Sequence, residues 1–188
     1  MTTRQSIHDP DATDAMTDLE TMGTDPYCPI LSIGACAFQM EAGAPIRDTF
    51  YQAIKLDSCM ELGLRPSAGT MLWWMERDRA AQEVLFDKQA VALPLALDAF
   101  TEWWQSRPMN IWGNSARFDC GILEAAYKVC GKQVPWQFWQ ERCYRTIKSL
   151  PGAKDVPFKR IGVHHHALDD ALSQAAHLRL IMKHLNLK

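Results

Sequence analysis

The spacing of apolar residues changes along the chain, and each change marks an element. Residues 30–38 (ILSIGACAF) are apolar almost without alternation and are followed by turn chemistry at 41–45, which predicts a strand. Residues 49–56, with Phe50, Ala53 and Ile54, predict its hairpin partner. A first strand is expected just before Asp18, where Ala12, Ala15 and Met16 supply the only apolar groups. The middle of the chain turns helical. Ser67 is placed to cap a helix carrying Met71, Leu72, Trp74 and Met75, and Asp78 to cap one carrying Ala81, Val84 and Leu85. Pro94 opens a helix over 95–105 with Leu97, Phe100, Trp103 and Trp104 on one side. Residues 109–113 predict a brief strand, 118–130 a helix closed by Gly131, and 136–150 a further helical region. After a loop over 151–163, a last helix is expected over 166–185. Early strands and late helices around a mixed sheet define an α/β domain.

Composition narrows the class. A chain of 188 residues, 47% hydrophobic and 22% charged, has the make-up of a globular domain and excludes collagen, coiled coil and wholesale disorder. Residues 1–11 carry few apolar groups and are expected to fray, leaving one domain over 12–188. No run reaches the roughly 18 apolar residues of a membrane span, and the acidic N-terminus does not resemble a secretory signal. None of the six cysteines forms a C-x-x-C pair, so reduced, mostly buried thiols in a cytoplasmic protein are expected. The formal net charge of −2 rules out a blanket basic surface, so the placement of individual charges carries the functional information.

Three short patterns do so. In Asp18-Leu19-Glu20 the carboxylates stand at i and i+2, on one face of a strand. Two such acids repel unless a proton or a hard cation lies between them, although two solvated acids at a strand end would look the same. Asp119, in WGNSARFDCGIL, follows the strand at 109–113, with Asn114 and Ser115 as turn or capping residues. An acid in a helix first turn also gains from the helix dipole without further purpose. His164-His165-His166-Ala167-Leu168-Asp169-Asp170 opens the last helix. Adjacent histidines diverge, but His165 and Asp170 can both reach a point above the helix start, and the bland alternative is a capped acidic helix start.

Taken in order, these motifs resemble the DEDD superfamily of 3′→5′ exonucleases, histidine branch, and within it the small RNase T-like group of phages, prophages and mycobacteria. The resemblance runs from residue 17 to 185 through TDLETMG, PILSIGACAF, SAGTMLWWMERD, WGNSARFDCGIL, RCYRTIKSL and HHALDDALSQA. The tyrosine branch does not fit, because no Tyr stands four residues before Asp170. The polar stretch before Asp18 departs from the apolar first strand usual in the family.

The resemblance implies a ribonuclease-H-like mixed sheet flanked by helices. It implies that Asp18, Glu20, Asp119 and Asp170 hold two divalent cations, Mg²⁺ or Mn²⁺, with Glu20 also at the reaction centre and His165 as general base. Oxygen-only ligands suit such hard ions, and a neutral imidazole suits a base near pH 7. The implied partner is the 3′ end of single-stranded DNA or RNA, received by Leu19, Thr21 and Met22, with Trp74 as a stacking ring beside Trp73 and Asn114 as a further contact. Arg145, Lys148, Lys154, Lys159 and Arg160 are candidate phosphate contacts or a solvated loop. The Trp-rich helical middle also offers a homodimer interface. Rival readings are a catalytically silent nucleic-acid-binding module on the same fold and a phosphate-ester hydrolase without polymer specificity.

Overall fold

The computed structural model describes residues 7–105, 107 and 109–187. Five strands form one mixed sheet in the order β3-β2-β1-β4-β5. β1 (Asp14–Thr21) lies at its centre, antiparallel to β2 (Ile30–Phe38) and parallel to β4 (Asn110–Gly113). β3 (Asp48–Ala53) continues the antiparallel half, and β5 (Glu141–Cys143) adds a parallel edge beyond β4. Helices cover both faces of β2, so all nine of its residues are buried and its sequence shows no alternation.

Period two divides β1 between two cores. Ala15 and Leu19 face α4 (Leu93–Trp104) and α5 (Ala116–Val129), while Met16 faces α7 (Ala167–His184). The same alternation carries Asp18 and Glu20 onto the α7 face, beyond the point where Met16 is sealed. Gly34 pairs with Asp18 and lets the start of α7 come down on the sheet there. A Cβ at Gly34 would stand 2.1 Å from the Leu168 nitrogen and 2.2 Å from the Ala167 carbonyl carbon.

The remaining helices are α1 (Leu56–Glu61), α2 (Ala68–Met75), α3 (Arg79–Gln82) and α6 (Tyr144–Lys148). Both expected caps form: Ser67 accepts from the Thr70 N–H and Asp78 from the Ala81 N–H. α1 was not anticipated, because its N-cap position is Lys55, which makes no side-chain cap bond. The third strand accordingly stops at Ala53 instead of residue 56.

Two further expectations are refined. The first strand, expected just before Asp18, runs on through both carboxylates, as their shared face requires. Its polar start is hidden in the sequence because buried Asp14 is satisfied by Thr13, Asn110 and the Trp112 indole, groups up to 98 residues away. The helical region expected over 136–150 is broken: a 3-10 turn (Phe138–Gln140) leads into β5, and only Tyr144–Lys148 is α-helical. A three-residue edge strand owes its existence to its parallel partner β4, which local periodicity does not register.

Of the expected leader, residues 1–6 lie outside the described residues, whereas 7–11 are tied down. The Ile7 N–H donates to the Arg47 carbonyl, the Asp9 N–H to Asp48, and Arg107 to the Asp9 carbonyl. The anchor is the buried Arg107–Asp48 pair at 2.6 Å. All six cysteines are free thiols, four of them buried. Among the described residues, no helix is long and apolar enough to cross a membrane.

The approach at Gly34 is testable. Gly34→Ala places a methyl group where the α7 backbone already stands, and a loss of about 1–3 kcal/mol is expected from overpacking. Urea unfolding should show a lower midpoint at an unchanged slope; an unchanged midpoint would mean that α7 does not depend on this contact.

Candidate active site

At the C-terminal end of β1 the sheet brings side chains from three elements together. Ligand oxygens of Asp18 and Glu20 from β1 and Asp170 from the first turn of α7 all lie within 4.8 Å of one another. Gln174, one turn beyond Asp170 on the same helix face, donates to Asp18 Oδ1 at 2.7 Å. Asp119 enters from the opposite layer, in the first turn of α5, and is 1% exposed. It accepts the Ser115 N–H at 3.1 Å and lies against Gly113, where a Cβ would meet its Oδ2 at 2.7 Å. Asp119 is outside the 4.8 Å group but within the electrostatic field of Asp18 and Glu20.

His165 stands beside this cluster in a left-handed conformation, φ 62°, which costs a non-glycine residue roughly 1 kcal/mol or more. Its N–H donates to Asp170 Oδ2 at 3.0 Å, so the turn is locked to the helix it precedes. His166 caps α7 and stacks on Tyr51, with ring centroids 4.5 Å apart. The His164 and His165 rings stack at 3.7 Å, and Trp73 meets His165 edge-on at 4.8 Å. His164, His165 and Asp170 form a second group of ligand atoms within 4.8 Å.

The electrostatics follow from burial first and crowding second. Burial, reinforced by Asp170 and Asp119, pushes Glu20 up to about 8. Burial also pushes Asp119 up to about 7 against the pull of backbone hydrogen bonds, and it holds Asp18 well above the usual carboxylate range, with Asp119, Glu20 and Asp170 adding to the effect. His165 is shifted the other way, below 6.5, by burial and then by neighbouring His164. Carboxylates that resist ionisation in one another's company are a site for hard cations, and the all-oxygen donor set of Asp18, Glu20 and Asp170 fits Mg²⁺ or Mn²⁺.

Two cavities meet at Leu19 and Glu20. One, of about 500 Å³, is lined by Asp18, Asn114, Lys148, Arg160, His165 and Asp170 among others. The other, of about 360 Å³, is lined by Thr21, Gly23, Thr70, Trp73, Trp74 and Phe118 with the shared pair. Leu19, Thr21 and Asn114 line these cavities, and the Asn114 Oδ1 accepts no hydrogen bond among the described residues.

Met22 does not. Its side chain is buried with Leu31, Trp74 and Ala81, its N–H is spent on Pro29 and its carbonyl on Ser67. Trp74 forms cavity wall rather than platform: it is 1% exposed and its indole N–H is donated to the Thr21 carbonyl, while the half-buried ring beside His165 is Trp73. Sequence reasoning missed Gln174, whose only signal was its i+4 spacing from Asp170. It also left Arg160 in a general basic cluster, although Arg160 is ion-paired to Asp170.

On a ribonuclease-H-like fold, this assembly sets a carboxylate pair on the central strand, an acid from each flanking layer and a histidine at the last helix, an arrangement in keeping with a 3′→5′ exonuclease. The solved structures it resembles agree in fold. The nuclease domain of 3′hExo, a DEDDh family member bound to rAMP, aligns at a TM-score of 0.63 and 15% identity over 96% of this chain and 98% of that one. E. coli Exonuclease I, in complex with a 5cy-dT13 oligonucleotide, aligns at 0.61 and 13% identity over 92% of this chain but only 41% of its own. S. pombe Pop2p, in an Mg²⁺ and Mn²⁺ bound form, aligns at 0.53 and 14% identity over 92% and 83%. The chain belongs to the family described as 3′-5′ exoribonuclease Rv2179c-like domain, whose sequence model matches residues 13–182. No curated protein sequence matches it.

The buried acids predict a pH signature. Glu20 and Asp119 keep protons in the native state at pH values where the unfolded chain has lost them, so their stabilising contribution is full below the ordinary carboxylate range and lost as pH rises through about 7 to 8. Metal-free protein should show a Tm that falls between about pH 5 and about pH 8.5, and added Mn²⁺ should raise Tm most at the alkaline end. A metal-free Tm rising across that interval would contradict the crowded-carboxylate account.

Proposed function

We propose that this exonuclease acts on single-stranded RNA, releasing nucleoside 5′-monophosphates one at a time from the 3′ end in a metal-dependent hydrolysis. The observation that carries the reading is the convergence of Asp18, Glu20 and Asp170 within 4.8 Å beside a histidine whose pKa burial lowers. RNA is favoured over DNA by the family's description as exoribonuclease.

Asp18, Glu20, Asp119 and Asp170 would hold two divalent cations. Bound there, the cations supply charge relief at the phosphate and acidify a water molecule. The chain's own residues do the rest. His165, neutral near pH 7, accepts a proton from the attacking water, whose oxygen bonds to phosphorus as the bond from phosphorus to the 3′ oxygen of the preceding nucleotide breaks. That 3′ oxygen leaves with a proton from solvent. The terminal nucleoside enters the smaller cavity against Leu19 and Thr21, with Trp73 as its aromatic wall and Trp74 holding the Thr21 carbonyl from behind. Asn114 and Lys148, in the larger cavity, contact the strand upstream.

The test uses 5′-labelled RNA and DNA oligonucleotides with Mg²⁺ or Mn²⁺. A ladder shortening from the 3′ end, faster on RNA, is expected; internal cuts or shortening from the 5′ end would overturn the reading. His165→Ala should lower kcat by about 100-fold or more while metal binding, followed by calorimetry, is retained. Because burial lowers the His165 pKa, the wild-type pH–rate profile at saturating Mn²⁺ should hold its rate further to the acid side than an ordinary imidazole base would, and the acid limb should shift in the variant. An unchanged acid limb in the variant would assign the base elsewhere.

A further inference from the structure

Both oxygens of Asp170 are engaged. Its Oδ2 accepts the His165 N–H at 3.0 Å, and its Oδ1 is paired with Nη1 of Arg160. The guanidinium therefore stands at the acid whose oxygens lie within 4.8 Å of those of Asp18 and Glu20. Arg160 belongs to the segment that leads into α7, outside any helix or strand, and its side chain is 36% exposed, resting over the Phe158 ring at 5.4 Å. It also lines the larger cavity, together with Lys148 and Asn114. Among the described residues it makes no other ion pair.

Three physical facts bear on this arrangement. A guanidinium does not shed its charge, so it can serve an acidic cluster as a permanent monovalent counter-ion. A divalent cation using Asp170 Oδ1 would compete with it for the same oxygen and repel it. Arginine is also the side chain best matched to phosphate, through paired N–H donors. The side chain is long, partly exposed and borne on a segment outside any helix or strand, so it can leave Asp170 without any element moving.

We propose that Arg160 is an exchangeable ligand: it holds Asp170 while the metal site is empty and turns to a phosphate of the nucleic-acid strand when divalent cations occupy the site. The inference rests on the metal-dependent reading above and deepens it. Because the same guanidinium cannot serve both anions, metal and strand must bind with positive coupling, each favouring the state in which Arg160 has left Asp170.

The experiment compares wild-type protein with Arg160→Ala and Arg160→Gln, each the full chain stripped of metal. Titration calorimetry with Mn²⁺ alone is the first readout. Loss of the competing cation should tighten Mn²⁺ binding in both variants by about 5-fold or more. The second readout is the affinity for a hydrolysis-resistant phosphorothioate RNA, by fluorescence anisotropy, with and without Mn²⁺. Wild-type affinity should rise about tenfold or more with metal, and most of that rise should vanish in the variants. Arg160→Gln removes the charge but keeps a long polar side chain, so it reports even if Arg160→Ala folds poorly.

Weaker Mn²⁺ binding in the Gln variant, with the metal-dependent gain in strand affinity intact, would overturn the exchange and leave Arg160 as a support for Asp170. Failure of wild-type protein to bind Mn²⁺ at all would instead overturn the metal-dependent reading, and the exchange with it.

Discussion

Carboxylates that repel one another are held together where the central strand ends, and the surrounding structure is arranged to make that tolerable. Asp18, Glu20 and Asp119 are all pushed upward by burial first, and mutual charge adds to this at Asp18 and Glu20, so withdrawal from water and proximity act together at the site. The compensations come from different layers. Gln174 donates to Asp18, the Ser115 N–H to Asp119, and Asp170 lies in the first turn of α7, where the helix dipole favours negative charge. Arg160 adds a full positive charge.

Geometry makes these compensations converge. One strand supplies both core and site by alternation: Met16 seals the core against α7, and two and four residues later the same face carries Asp18 and Glu20. Two glycines permit the close contacts. Gly34 lets α7 press on the sheet opposite Asp18, and Gly113 leaves room for the Asp119 carboxylate. Strain enters at one position beside the acids, the left-handed His165, and is offset there by its N–H bond to Asp170.

Much of this was legible before folding. β2 could be read from an unbroken apolar run, the Ser67 and Asp78 caps from residue type, and α5 and α7 from periodicity closed by familiar stops. Asp18 and Glu20 could be read as sharing a face because strand period is local, and Asp170 as reaching the His165 turn because helix rise is local. What failed was non-local. The start of β1 was the faintest strand signal because Asp14 finds its partners across the sheet, and β5 looked helical because only β4 makes it a strand. Met22 and Trp74 looked available for substrate, yet both are consumed by contacts with residues far away in sequence.

The sequence by itself determined which chemistry was on offer: four carboxylates and a histidine in a fixed order, with spacings that regular strands and helices convert into shared faces. Only the tertiary structure decided which of those groups meet. It brought Asp18, Glu20 and Asp170 within 4.8 Å, held Asp119 just outside that group from the other side of the sheet, and singled out Arg160 from five basic candidates as the partner of Asp170. The reason is range. Periodicity and capping act over a few residues, whereas desolvation and charge pairing depend on where distant segments come to rest.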